Sequence, residues 1–287
     1  MWCQGRGVVL AALVNKPLLS CLAEFIFLLS EQWCLEKSVS YQAVEILERF
    51  MVKQAEAICA QAAAQRGDRE RAEARDWRAQ KEQLCSRFAL RLVSCVQLAS
   101  KLSFHYKALG YPYTKEELLE SELDVLKSLD FQINLSTPLE YVEMLLEVLG
   151  YNGCAVPATQ LHATCLTLLD LVYLLHEPVY RSLLRSAVGN TSPSELQGEK
   201  FGSVEEDFML LAAGVIAASA FIQNHACWSQ VVGHLQSITG IASGSIAEFS
   251  HAVLTHSVGA STPGRRQPVP PPPGRLGRRA TEAGRSC

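Results

Sequence analysis

No apolar run in this sequence reaches the ~18 residues that a bilayer-crossing helix needs. Phe208–Ala218 is apolar throughout but falls short, and Phe25–Leu29 is shorter still. Val8–Val14 has the look of a signal-peptide core, yet it stops at Asn15-Lys16-Pro17, so neither secretion nor a membrane span is expected. Convincing alternating strands are also missing. The 10 cysteines include no CxxC pair. Most sit among apolar residues at helix-like spacing, where cysteine acts as a small hydrophobe, and a reducing compartment is expected.

Catalytic patterns are missing too. There is no GxSxG, no P-loop and no GxGxxG following a strand. His225 and Cys227 lie close together, but no second Cys/His pair stands at metal-ligand spacing. Glu116-Glu117 and Glu205-Glu206 sit in the first turns of helices, where the macrodipole favours acids. The residues point to a protein without enzymatic activity, metal or cofactor.

What is present is apolar and asymmetric in charge. Hydrophobic residues make up 48% of the 287, enough for a sizeable core. The net charge of −3 divides unevenly. Residues 259–287 hold six arginines and one acid, or +5, which leaves −8 on the rest. A body at −8 is a poor ligand for phosphates, so no direct sequence-specific binding of nucleic acid is expected.

The periodicity is helical almost everywhere and predicts an all-α protein. Val39, Ala43, Val44, Leu47, Phe50 and Met51 fall on one face. Leu84, Phe88, Leu92, Cys95, Val96 and Ala99 form a second. Leu119, Leu123, Leu126 and Leu129 form a third. Thr114–Glu117 reads as a capping box, and Thr137-Pro138 opens a helix ending near Gly150. Leu161, Cys165, Leu168, Leu169, Val172 and Leu175 line a long helix. Ser203–Glu206 reads as a further capping box, opening a helix over about 206–223 that is apolar on nearly all sides, as the buried centre of a bundle would be. Trp228 to Ile238 and Ile246 to Leu254 give the last two.

These elements divide the chain into an atypical segment 1–17, a helical module 18–134 with a charged insert at about 52–82, a second module 138–258, and a disordered basic tail 259–287. The densest part of the insert, 66–82, carries six positive and five negative charges. The tail holds six Pro and five Gly. Within it, Arg265, Pro268 and Pro271 fit R-x-x-P-x-x-P, a polyproline II ligand pattern, and Thr281 follows Arg278-Arg279 as in a basophilic kinase site.

One relationship between positions stands out. Leu98-Ala99-Ser100-Lys101 closes a helix, Glu122 lies inside the next clear one, and Leu129-Asp130-Phe131-Gln132-Ile133 ends the module. This order resembles the first box of the cyclins: "LASK", a helix with an inward Glu, then "L-x-F-x-hydrophobic". Tyr41–Val44 with Glu48–Met51 resembles the second cyclin helix, and Glu24-Phe25 with Leu28-Leu29 the first. A meiotic branch of the family is more similar still, over segments 30–56, 90–104, 114–129, 161–178 and 228–241.

The resemblance implies two tandem cyclin boxes and a docking surface. Lys101 and Glu122 would bond the backbone of a cyclin-dependent kinase helix, with Leu102, Phe131 and Ile133 packing beside them. The other reading of the pair is that Lys101 and Glu122 hold each other or face water. The meiotic branch implies a nuclear protein, with a cytoplasmic pool allowed, that acts with recombination proteins to mature crossovers. The alternatives are a conventional cell-cycle cyclin and a helical adaptor that binds no kinase. The first box is shortened: 21 positions separate Lys101 from Glu122, and Ser103–Tyr113 stands where a helix is expected. Leu18–Leu22 lacks the Arg of the cyclin substrate-recruitment motif, so that role is not carried over.

Overall fold

The computed structural model describes residues 16–64, 87–103, 113–153, 156–188 and 204–260. The shortened stretch at 104–112, most of the charged insert, the loop 191–202 and the tail with Arg265, Pro268, Pro271 and Thr281 lie outside them. The described residues are helical, with no strand among them.

The first module consists of α1 (Lys16–Gln32), α2 (Lys37–Ala64), α3 (Phe88–Leu102) and α4 (Lys115–Ser128). The apolar face expected of α2 is buried from Val39 to Met51. The helix then runs on to Ala64, with Val52 and Ala55 also buried. The first part of the expected insert, 52–64, is thus the C-terminal part of α2.

The third face expected from the pattern holds at Leu126 and Leu129 and is corrected at Leu119 and Leu123. In α4 the buried residues are Leu118, Ser121, Glu122 and Val125, whereas Leu119 and Leu123 are half exposed. Ser121 decides the orientation. Its hydroxyl accepts from Ser94 on α3 at 2.8 Å, a close approach that only small side chains permit.

The second module holds α5 (Pro138–Tyr151), α6 (Ala158–Leu174), α7 (His176–Val188), α8 (Phe208–Gln223), a 3-10 turn (His225–Cys227), α9 (Trp228–Thr239) and α10 (Ser243–Ala260). As expected, α8 is the centre: every residue from Leu211 to Ala220 is buried. Its start differs from expectation. Asp207 caps it, with the carboxylate accepting from the Leu210 N–H at 2.9 Å, and Ser203 of the expected box lies outside the described residues. Gly240, with φ at +73°, ends α9 in the left-handed conformation that glycine adopts without strain.

The long helix expected from Leu161 onward breaks at Leu175, and α7 leaves α6 at 87°. Pro178 explains the break, because its ring would clash with the carbonyl of Leu174. No single helix among the described residues is long and apolar enough to cross a membrane.

One continuous core joins the modules. α1 packs on α2 and also on α6 and α7. Cys95 and Cys165 lie in that core as free thiols. Burial raises both, Cys165 to about 12, so neither is a reactive thiolate at neutral pH.

Candidate functional site

The site is built where the end of α3 meets α4. A capping box fixes the start of α4. The Thr114 hydroxyl accepts from the Glu117 N–H at 3.2 Å, and the Thr114 N–H donates to the Glu117 carboxylate at 2.9 Å. The Thr114 N–H first, and second its hydroxyl, which also donates to the Glu117 carboxylate at 2.9 Å, hold that carboxyl below its ordinary pKa. Thr114→Ala is expected to remove about 1 kcal/mol of stability, read as a lower urea midpoint with an unchanged slope.

From that start, Glu122 points inward and is 5% exposed. Lys101, in the last turn of α3, donates from Nζ to both of its carboxylate oxygens at 2.7 Å. The pair is half buried: the glutamate is enclosed, and the lysine reaches solvent. An ammonium has three N–H groups, so at least one of Lys101 remains for a further acceptor. A carboxylate likewise accepts more than two bonds. Nearby, the Arg91 guanidinium lies over the Phe50 ring at 5.0 Å and reaches Asp124 at 3.8 Å. Burial lowers its pKa, and Asp124 opposes that shift.

Apolar residues lie on the same elements and on the turn that follows them. Leu119 and Leu123 precede and follow Glu122 on the outer side of α4, at 50% and 43% exposure. Leu102 is partly buried against the core. Phe131 is 64% exposed, and both it and Asp130 are held at positive φ, +59° and +52°. Left-handed backbone costs an aromatic residue roughly 1–2 kcal/mol, so something must hold this turn.

Two buried side chains of α2 do so. Gln42 donates to the Ile133 carbonyl at 2.7 Å, and Arg49 donates to the Gln132 carbonyl. Ile133 itself turns into the core, so it supports the face rather than presenting to a partner.

Thus the structure pairs Lys101 with Glu122, leaves Phe131 exposed on the turn after α4, and turns Leu102 and Ile133 toward the core. It adds Leu119 and Leu123, which periodicity assigned to the core, and the positioning residues Gln42 and Arg49. Arg49 lies on the side of α2 opposite the apolar face, where the sequence offers no signal of burial. For Gln42 there was none either.

The arrangement offers donors, acceptors and exposed apolar groups on a rigid support. Among the described residues no group of three or more His, Cys, Asp or Glu could hold a metal ion. What such a face can do chemically is bind.

Comparison with known proteins bears on what it belongs to. No protein-family model matches the chain. It is 73% identical over 277 residues to cyclin N-terminal domain-containing protein 1 of Mus musculus, covering 92% of this chain and 83% of the mouse protein. It is 74% identical over 262 residues to the Homo sapiens protein of the same name, covering 87% and 79%. Identity of that order across most of both chains shows that this chain belongs to the cyclin N-terminal domain-containing protein 1 family.

Proposed function

We propose that this protein is a non-enzymatic regulator and scaffold of meiotic crossover maturation that docks a cyclin-dependent kinase on the α3–α4 face and contacts recombination proteins in the nucleus. The observation that carries the kinase part is the Lys101–Glu122 pair, with Leu119 and Leu123 exposed on α4 and Phe131 exposed on the turn after it. The crossover part rests on the resemblance to the meiotic branch. A partner that binds only the active form of a kinase stabilises that form by its differential affinity. Charge-assisted contacts enclosed in such an interface are worth about 2–5 kcal/mol when one side is lost.

The test is co-purification from meiotic tissue, wild type beside the double variant Lys101→Glu/Glu122→Lys. The swap keeps an ion pair across α3 and α4 but reverses its direction. A cyclin-dependent kinase is expected with the wild type and at least tenfold less with the variant. Equal recovery of the kinase, or none with either protein, overturns the docking.

The closed geometry favours one second reading. Lys101 and Glu122 already satisfy each other. An adaptor that binds no kinase needs nothing more from them, and recombination proteins recovered equally with both forms would support it.

A further inference from the structure

The outer face of α5 has an unusual composition for a solvated helix. Glu140, Glu143, Met144, Glu147 and Tyr151 are all exposed and follow one another at helical spacing. Met144 is 45% and Tyr151 84% exposed. The helix contains no lysine or arginine to balance its three glutamates. Glu143 meets His162 of α6 at 3.2 Å, and that contact is at the edge of the face. An acidic stripe carrying a thioether and an aromatic ring suits a segment that is basic and presents apolar rings.

The chain contains one such segment. Residues 261–287 carry six arginines against one acid and hold six prolines. The charged insert, by contrast, is nearly balanced. In the tail the prolines 270–273 stand between Arg265-Arg266 on one side and Arg275, Arg278 and Arg279 on the other. Pro271 is five residues from Arg266 with Pro268 between them, and Pro270 is five from Arg275 with Pro273 between them. Five residues of polyproline II span about 15 Å. From Glu140 to Tyr151 is eleven residues, about 16 Å along a helix. Prolines on Tyr151 and Met144 would therefore set arginines against Glu140 and Glu143 with the tail running in either direction. The 27 residues beyond Ala260 reach about 80 Å when extended, more than the breadth of a body this size.

We propose that the Arg- and Pro-rich tail, residues 261–287, docks on its own α5, with its prolines against Tyr151 and Met144 and its arginines against Glu140, Glu143 and Glu147. This reading is independent of kinase docking, which uses the opposite module. The bound tail would cover an apolar acidic surface and neutralise part of the charge of the body. A phosphate on Thr281 would weaken it by cutting the positive charge.

The test uses the full chain with a photo-reactive phenylalanine in place of Val269, irradiated at low salt, with cross-linked peptides mapped by mass spectrometry. Intramolecular cross-links into 138–153 are expected. They should fall at least tenfold in Glu143→Lys/Glu147→Lys/Tyr151→Ser. A second variant, with all five arginines from 265 to 279 changed to serine, leaves the folded body untouched and should lose them equally. Cross-links to a second copy, to α1 or α4, or to nothing overturn the proposal, as does full cross-linking in the arginine variant.

Discussion

Gly214→Val is expected to be among the most destabilising single changes in the protein. Gly214 sits midway along α8 with its Cα against Phe249 of α10. A Cβ there would lie 2.5 Å from Cδ1, 2.8 Å from Cγ and 2.9 Å from Cβ of that ring. Contacts this short require movement, and Phe249 has nowhere to go because it is completely buried. Alanine gains about 1 kcal/mol of helix propensity over glycine, while overpacking costs about 1–3 kcal/mol or more. Gly214→Ala should therefore be mildly destabilising. Valine adds two methyl groups and a stiff χ1, and a loss of about 4 kcal/mol is expected against a total of ~5–15. In a thermal melt followed by circular dichroism, that is a fall of about 10 °C. Gly214→Ala/Phe249→Leu should recover part of the loss. A Gly214→Ala protein that melts above the wild type would show that the α8–α10 contact relaxes freely, and the expectation would fail.

Tyr41→Ala is expected to cost about as much, by a different route. Tyr41 is buried where the modules meet. Its hydroxyl donates to Asp170 of α6 at 2.6 Å, and its ring stacks on Tyr173 at 5.2 Å. Phe27 of α1 meets it edge-on at 5.7 Å. Lys37 donates to the other oxygen of Asp170 at 2.7 Å, and Tyr173 donates to Glu45 at 3.0 Å. This cluster ties α1 and α2 to α6. Truncation of a buried aromatic costs about 3–5 kcal/mol, and it would also leave Asp170 with one partner fewer. A single cooperative melt should split into two steps in Tyr41→Ala, whereas Tyr41→Phe should keep one step and lose only about 1–2 kcal/mol. A single unshifted melt in Tyr41→Ala would contradict this account.

The same cluster sets the alkaline limit. Burial first, then the neighbouring carboxylates, raises the pKa values of Tyr41, Tyr173 and Tyr180 well above the ordinary 10. In the unfolded chain these phenols ionise near 10, so above that pH the unfolded state binds fewer protons than the native one. The stability they supply is complete below about pH 10 and is lost as pH rises beyond it. Each can contribute up to about 1.4 kcal/mol per pH unit. Urea midpoints should be flat from pH 7 to 9 and fall steeply above 10, less steeply in Tyr41→Phe.

Which residues of this chain form helices is legible in the linear pattern, because burial on a cylinder leaves a 3.6-residue period that composition alone displays. The burial of α2 from Val39 to Met51 and the central place of α8 follow from it. So does the start of α4 at Thr114, whose cap is a local bond between residues three apart. α7 escaped notice because it is short, polar and carries Pro178 in its first turn just after a long apolar helix. The α4 face was misassigned for a deeper reason. A leucine at helical spacing looks the same whether it fills a core or waits for a partner, and Ser121, which lies against Ser94, gives no hydrophobic signal at all.

The sequence by itself determined most of the helices, the cap of α4 and the buried centre of the second module, since those depend on neighbours within a turn or two. Only the tertiary structure decided which side of α4 is buried. It also decided that Lys101 and Glu122 close on each other, that Gln42 and Arg49 hold the turn presenting Phe131, and that Tyr41 meets Asp170 across 129 positions of chain. Those are contacts between polar groups far apart in sequence. Their energy depends on distance and burial in three dimensions, and neither leaves a period in the chain.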